Sequence, residues 1–181
     1  MATYPSERLT KLDVVQRQLR TAIDMFFEER DAVSTYTIAA AVEGVLGDIL
    51  KRKGIAHPFR ESDWIKEGKE KEFNDFLNAP QNFFKHSDRD PDGVLDFPIL
   101  AVDYLIFTCV VLYQLHTGRV LREGWIFFAW FGTHHPSILK DGPFKDALAA
   151  TKQRAPDLAT AKSTYLQIVR RRDLFPSPNT D

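Results

Sequence analysis

Residues 98–116 read PILAVDYLIFTCVVLYQLH, and Gly118 follows two positions later. Drawn as a helix, this stretch puts apolar side chains on every side and leaves no broad face for water. Such a helix belongs at the centre of a bundle. Asp103, Tyr104, Tyr113 and Gln114 interrupt the run. It therefore falls short of the clean span of about twenty apolar residues that a membrane crossing needs. The expectation is a buried helix that stops at Gly118, with Asp103 near its start or facing a polar partner.

Helical periodicity continues on both sides. Leu12, Val15, Leu19, Ala22, Ile23 and Phe26 recur at three- and four-residue steps, which predicts a first helix over 6–30 capped by Ser6 or Thr10. A second helix is expected to start at Ser34 as N-cap, with Ile38, Val42, Val45, Leu46, Ile49 and Leu50 as its stripe. Its other side is small (Ala39, Ala40, Ala41, Gly44, Gly47), and Lys51, Arg52, Lys53 and Gly54 suit its C-terminal end. A third helix carries Phe73, Phe76, Leu77, Phe83 and Phe84 on one face. Pro80 inside that pattern predicts a kink or a restart near Asn78. A polar loop over 87–98, a helix over 123–135 and one or two weaker helices over 140–172, broken at Pro156, complete the pattern. The fold expected is an all-α antiparallel helical bundle. Its core spans 1–139, a C-terminal helical extension over 140–172 packs on that core, and 173–181 form a loose tail.

Lys plus Arg number 24 against 25 Asp plus Glu, a net charge of −1. That balance argues against an overall basic nucleic-acid binder and leaves room for a local basic patch. The single cysteine, Cys109, cannot close an internal disulfide, so nothing points to an oxidising compartment. Residues 1–12 carry Glu7, Arg8 and Lys11 without an apolar block, so no signal peptide is expected. A cytoplasmic protein with no membrane partner is the expectation. The sequence holds no glycine-rich phosphate loop, Gly-x-Ser-x-Gly, Cys-x-x-Cys or His-Glu-x-x-His motif, and no cofactor is expected. Burial of Cys109 in an apolar run raises a thiol pKa and argues against a cysteine nucleophile.

Chemistry concentrates in residues 81–90, QNFFKHSDRD. Asn82 and His86 stand four apart and share a helix face. His86 lies at a helix end, where the dipole and the nearby Asp88 and Asp90 favour its imidazolium. A charged histidine there can protonate a leaving group, while Lys85 or Arg89 holds a phosphate.

This segment resembles the signature of HEPN domains (higher eukaryotes and prokaryotes nucleotide-binding): an Arg, commonly a polar residue next, then a His four to six positions after the Arg. Asn82 and His86 match that pattern, and Gln81 stands where the Arg would be. Residues 41–54, AVEGVLGDILKRKG, are similar to the acidic, then Leu-rich helix of many HEPN proteins. The resemblance covers Leu9 to His116 at most. It implies a compact bundle, a homodimer and, in active members, metal-independent RNA cleavage where Arg and His of both subunits meet. Glutamine lacks the fixed positive fork that grips a phosphate. The leading expectation is thus a non-catalytic or weakly active homodimeric interaction module associated with nucleic acid. The alternative is a ribonuclease toxin in which His86 is acid and base, Asn82 orients the RNA, Arg89 replaces the missing clamp and Lys85 binds phosphate.

Two other motifs carry expectations. Residues 88–96, DRDPDGVLD, follow the start of a calcium-binding EF-hand loop, with Asp88, Asp90 and Asp92 as weak ligand candidates. The twelfth position is Ile99 where the geometry needs a bidentate Glu, so a capped acidic loop is the plainer reading and no metal is expected. Residues 125–131, WIFFAWF, put five aromatics around one helix. One core face cannot absorb them all, so Trp125, Phe128 and Trp130 are candidates for an interface or for a small-ligand-binding bundle. His134 and His135 point about 100° apart, which suits a helix end better than a shared metal ion.

Overall fold

The computed structural model describes residues 4–59, 69–86, 90–135, 141–154 and 161–171. Among these there are seven helices and no strand: α1 Lys11–Phe27, α2 Ala32–Arg52, α3 Glu70–Lys85, α4 Leu100–Thr117, α5 Arg122–His134, α6 Pro143–Arg154 and α7 Lys162–Arg170. The all-α expectation holds. α4 is the axis, with every residue from Ala101 to Tyr113 buried. α2 lies along it, α1 packs on α2, and α5 returns across α4. α6 lies on α5, while α7 rests against both α1 and α5. Gly118 ends α4 as expected, in the left-handed region (φ 71°) that a side chain would resist.

Local chemistry sets the helix starts. α1 begins at Lys11 because Thr10 and Asp13 form a reciprocal capping box, so the longer helix expected from Ser6 does not form. α2 begins at Ala32, two residues before the expected cap. Asp31 is the N-cap, and its carboxylate accepts the Ser34 N–H at 2.7 Å. Ser34 therefore lies inside the first turn.

α3 runs unbroken through Pro80, against the expected kink or restart at Asn78. Phe73, Leu77 and Pro80 are buried, and beyond the proline Phe84 packs on Tyr36 and Phe97, so both halves of the helix are held on one line. In the same turn the buried Tyr36 hydroxyl of α2 donates to the Leu77 carbonyl. Packing on both sides of the proline outweighs its local penalty.

Aromatic contacts join the helices. Phe107 of α4 stacks on Phe131 of α5 at 4.0 Å between ring centroids, and Trp130 meets Phe26 of α1 edge-on at 4.7 Å. Phe27 stacks on Tyr165 of α7 at 5.7 Å. α7 is also clamped by charge. The buried Arg122 donates to the carbonyls of Val169 (2.8 Å), Ile168 (2.6 Å) and Arg171 (2.7 Å). At the other end of α7, the Lys162 ammonium sits 3.6 Å from the Phe26 ring centroid. Arg170, in the last turn of α7, pairs with Glu28 at 2.8 Å, and Arg122 adds a second cation at that end of the dipole.

Arg122→Ala should lower unfolding free energy by about 2–3 kcal/mol, the scale for charged hydrogen bonds to buried carbonyls. Tryptic cleavage at Lys162 or Arg170 should then outpace cleavage in α1. Arg122→Lys should recover little, because one ammonium cannot span three carbonyls. Chemical denaturation and timed proteolysis of the three proteins check this.

Candidate functional site

The end of α3 carries the residues singled out in the sequence. Asn82, Lys85 and His86 are exposed, and His86 is the C-cap, its N–H donating to the Asn82 carbonyl at 3.1 Å. Phe84 holds this turn in place, 5.8 Å from the Tyr36 ring and 5.4 Å from Phe97. Phe83, expected on the apolar face of the helix, is 40% exposed. Gln81 is half-buried and lines a cavity of about 320 Å³ with Val33, Tyr36, Thr37, Phe84 and Lys85. Asp88 and Arg89 lie outside the described residues. Asp90 and Asp92 are exposed in a turn closed by the Gly93 N–H to the Asp90 carbonyl. Among the described residues, no three His, Cys, Asp or Glu side chains group closely enough to hold a metal ion.

The aromatic helix divides its rings. Trp130 is buried against Phe26 and Phe27, Phe128 is half-buried beside Phe107, and Trp125 is 50% exposed. Trp125 and Trp130 stand five positions apart and face different ways, so they do not line one site.

The structure pairs four titratable groups that periodicity does not connect. Asp103, in the first turn of α4, lies 2.8 Å from His135 Nε2 at the end of α5. His134 goes elsewhere: its Nδ1 is 2.7 Å from both the Trp130 carbonyl and Thr133 Oγ1. The two histidines thus have separate partners. Lys162 approaches the same region. Burial holds its pKa below the usual lysine value, with Asp103 and Glu29 opposing that shift.

The second pair is Glu43 on α2 and His57 in the turn beyond it, 5% and 8% exposed, with Nε2 and Oε1 3.2 Å apart. The Phe59 N–H donates to His57 Nδ1 at 3.2 Å. Glu43 and His57 line a cavity of about 570 Å³ together with Gly44, Gly47, Asp48, Lys51 and Ile55. A Cβ at Gly44 would meet nothing, and one at Gly47 would touch only His57 Cδ2 at 4.0 Å. Each glycine costs about 1 kcal/mol against alanine inside a helix. Packing among the described residues does not require either one. A hint was present in the sequence: Glu43 is a lone acid beside the Val42–Leu46 stripe, and His57 closely follows the Gly54 reversal.

Cys109 donates to the Ala39 carbonyl at 3.2 Å. Burial first, and then the Glu43 charge, push its thiol well above the ordinary cysteine range. No family model matches the chain, and no curated protein or solved structure is similar enough to match it.

The buried thiol gives a direct check. Native protein at pH 8 should leave a disulfide reagent such as 5,5′-dithiobis(2-nitrobenzoate) unreacted, and one thiol should titrate once denaturant is added. Rapid modification of the native protein would contradict the burial of Cys109.

Proposed function

We propose that this chain is a HEPN-like bundle acting in the cytoplasm as a non-catalytic homodimeric interaction module, with RNA as its associated nucleic acid. The observation that carries this reading is the surface around the end of α3. Phe83 and Val33 stay 40% and 41% exposed there. The loop tied to Phe84 through Phe97 exposes Val94 and Ile99. Asn82, Lys85 and His86 add exposed polar groups on the same turn of α3. An apolar surface with a polar rim suits a second subunit. Gln81 supports the non-catalytic half of the reading. It lines the neighbouring cavity with an uncharged amide where phosphate chemistry would want a guanidinium.

By length and mean hydropathy α2 and α4 both reach what a membrane crossing needs, so the polar interruptions of α4 do not exclude it as the sequence led us to expect. In this fold α4 is enclosed by other helices, which supports a bundle without a membrane partner.

Sedimentation equilibrium and an RNA cleavage assay in EDTA test the proposal. Wild type and His86→Ala should both be dimers and leave RNA intact. Phe83→Asp should weaken dimerisation about tenfold or more, because it places a charge in the apolar contact. Metal-independent cleavage by wild type that disappears in His86→Ala would replace this reading with the ribonuclease one. A monomeric wild type at tens of micromolar would remove the dimeric module altogether.

A further inference from the structure

From the RNA reading above, we infer that the end of the bundle where α2 and α4 finish is the face for single-stranded RNA, gripped through its phosphates and stacked on Trp125. Three contacts bring the elements of this end together. Gln16 of α1 donates to the Tyr113 hydroxyl at 2.7 Å, and Arg20 reaches Glu123 of α5 at 3.5 Å. The Lys53 ammonium, just beyond α2, donates to His116 Nδ1 at 3.0 Å and to the His116 carbonyl at 3.4 Å. α1 and α5 therefore start where α2 and α4 stop. Arg8, Lys11, Lys51, Arg52, Lys53 and Arg119 are all exposed here, and among the described residues none of the six pairs with a carboxylate.

The opposing charges are fewer. Glu7 is matched by Arg17 and Glu123 by Arg20. Asp13 is tied to Thr10 in the capping box, and Asp48 lies one turn back along α2. The C-termini of α2 and α4 bring about one negative charge between them. His116 adds no cation at neutral pH, because burial and the Lys53 charge hold its imidazole below the usual range. The balance at this end stays positive in a chain whose net charge is −1, and that field favours a polyanion. Successive helical residues point about 100° apart, so Lys51, Arg52 and Lys53 spread around a rim. A flexible strand with a charge on every residue can follow such a rim, where a rigid acidic helix would meet only part of it. Trp125 supplies the aromatic platform. It stands in the first turn of α5, 50% exposed, and meets Phe128 edge-on, so its indole is open to a base. The other end of α2, roughly 30 Å away by helix rise, carries the surface assigned to the second subunit, so the two partners do not compete.

Fluorescence anisotropy with a fluorescein-labelled oligouridylate of about fifteen nucleotides tests it, across salt from about 50 to about 200 mM. Wild type should bind saturably. Combined Lys51→Ala, Arg52→Ala and Arg119→Ala should weaken binding about tenfold or more and lower the salt slope by about two, as expected for three lost phosphate contacts. Trp125→Ala should also cost about tenfold. Combined Arg30→Ala, Lys69→Ala and Lys71→Ala removes the same charge from residues already paired with carboxylates and should bind as wild type. Circular dichroism checks the fold. Should the first variant not fold, Arg8→Ala with Lys11→Ala lies outside α2, reads the same face and should weaken binding. Unchanged affinity in the first variant, or equal loss in both triple variants, overturns the proposal and leaves RNA association itself standing. Wild type that binds no oligouridylate at the lowest salt overturns both. Binding to phosphatidylserine vesicles without binding to oligouridylate overturns them too, and assigns the face to a lipid surface.

Discussion

A helix that is apolar on every side must be enclosed on every side, and α4 imposes that condition on the rest of this chain. From Ala101 to Tyr113 every residue is buried. Enclosure takes α2 along one flank, α5 along another, and α1 and α3 to close the gaps. The aromatic content of α5 follows from the same demand. Phe127 and Phe131 face inward, Phe131 meeting Tyr104 and Phe107, while Trp130 turns toward α1. What would be an oversupply of rings for one core face is shared between two contacts.

Polar groups inside this enclosure join segments far apart in sequence. Asp103 meets His135, Glu43 meets His57, Tyr36 meets the Leu77 carbonyl, and Arg122 meets the end of α7. Burying such groups without partners would cost several kcal/mol each, so their placement restricts how the helices can dock. The Asp103–His135 and Glu43–His57 pairs sit where surface and interior meet. That position makes the Glu43–His57 wall a cavity lining as well as a fastening.

Some of this was legible in the sequence, and the reasons differ by residue. α4 was legible because its composition excludes any exposed face, and Gly118 because only glycine rests easily in its conformation. The start of α2 was misread: Asp31 and Ser34 are both good caps, and only the hydrogen bond between them shows which one acts. Pro80 was misread because local preference predicts a break, while burial of Phe73 and Leu77 before it and packing of Phe84 after it decide the outcome. Asp103 and His135 were each noticed singly. Their pairing spans 32 positions and depends on how α4 and α5 cross, which periodicity does not encode. Among the candidate site residues, the sequence located Asn82, Lys85 and His86 on one helix end, and the structure exposes all three. It gave no sign that Gln81 lines a cavity, because the wall opposite comes from α2.

Native-state hydrogen exchange of the α4 amides from Ile106 to Leu112 tests most directly whether the bundle is built around that helix. If α4 is the enclosed axis, these amides should exchange only through global unfolding, with a free energy matching that from denaturant titration. The α7 amides should exchange faster through local opening. Exchange of α4 at free energies well below the global value would contradict a single core closed around it.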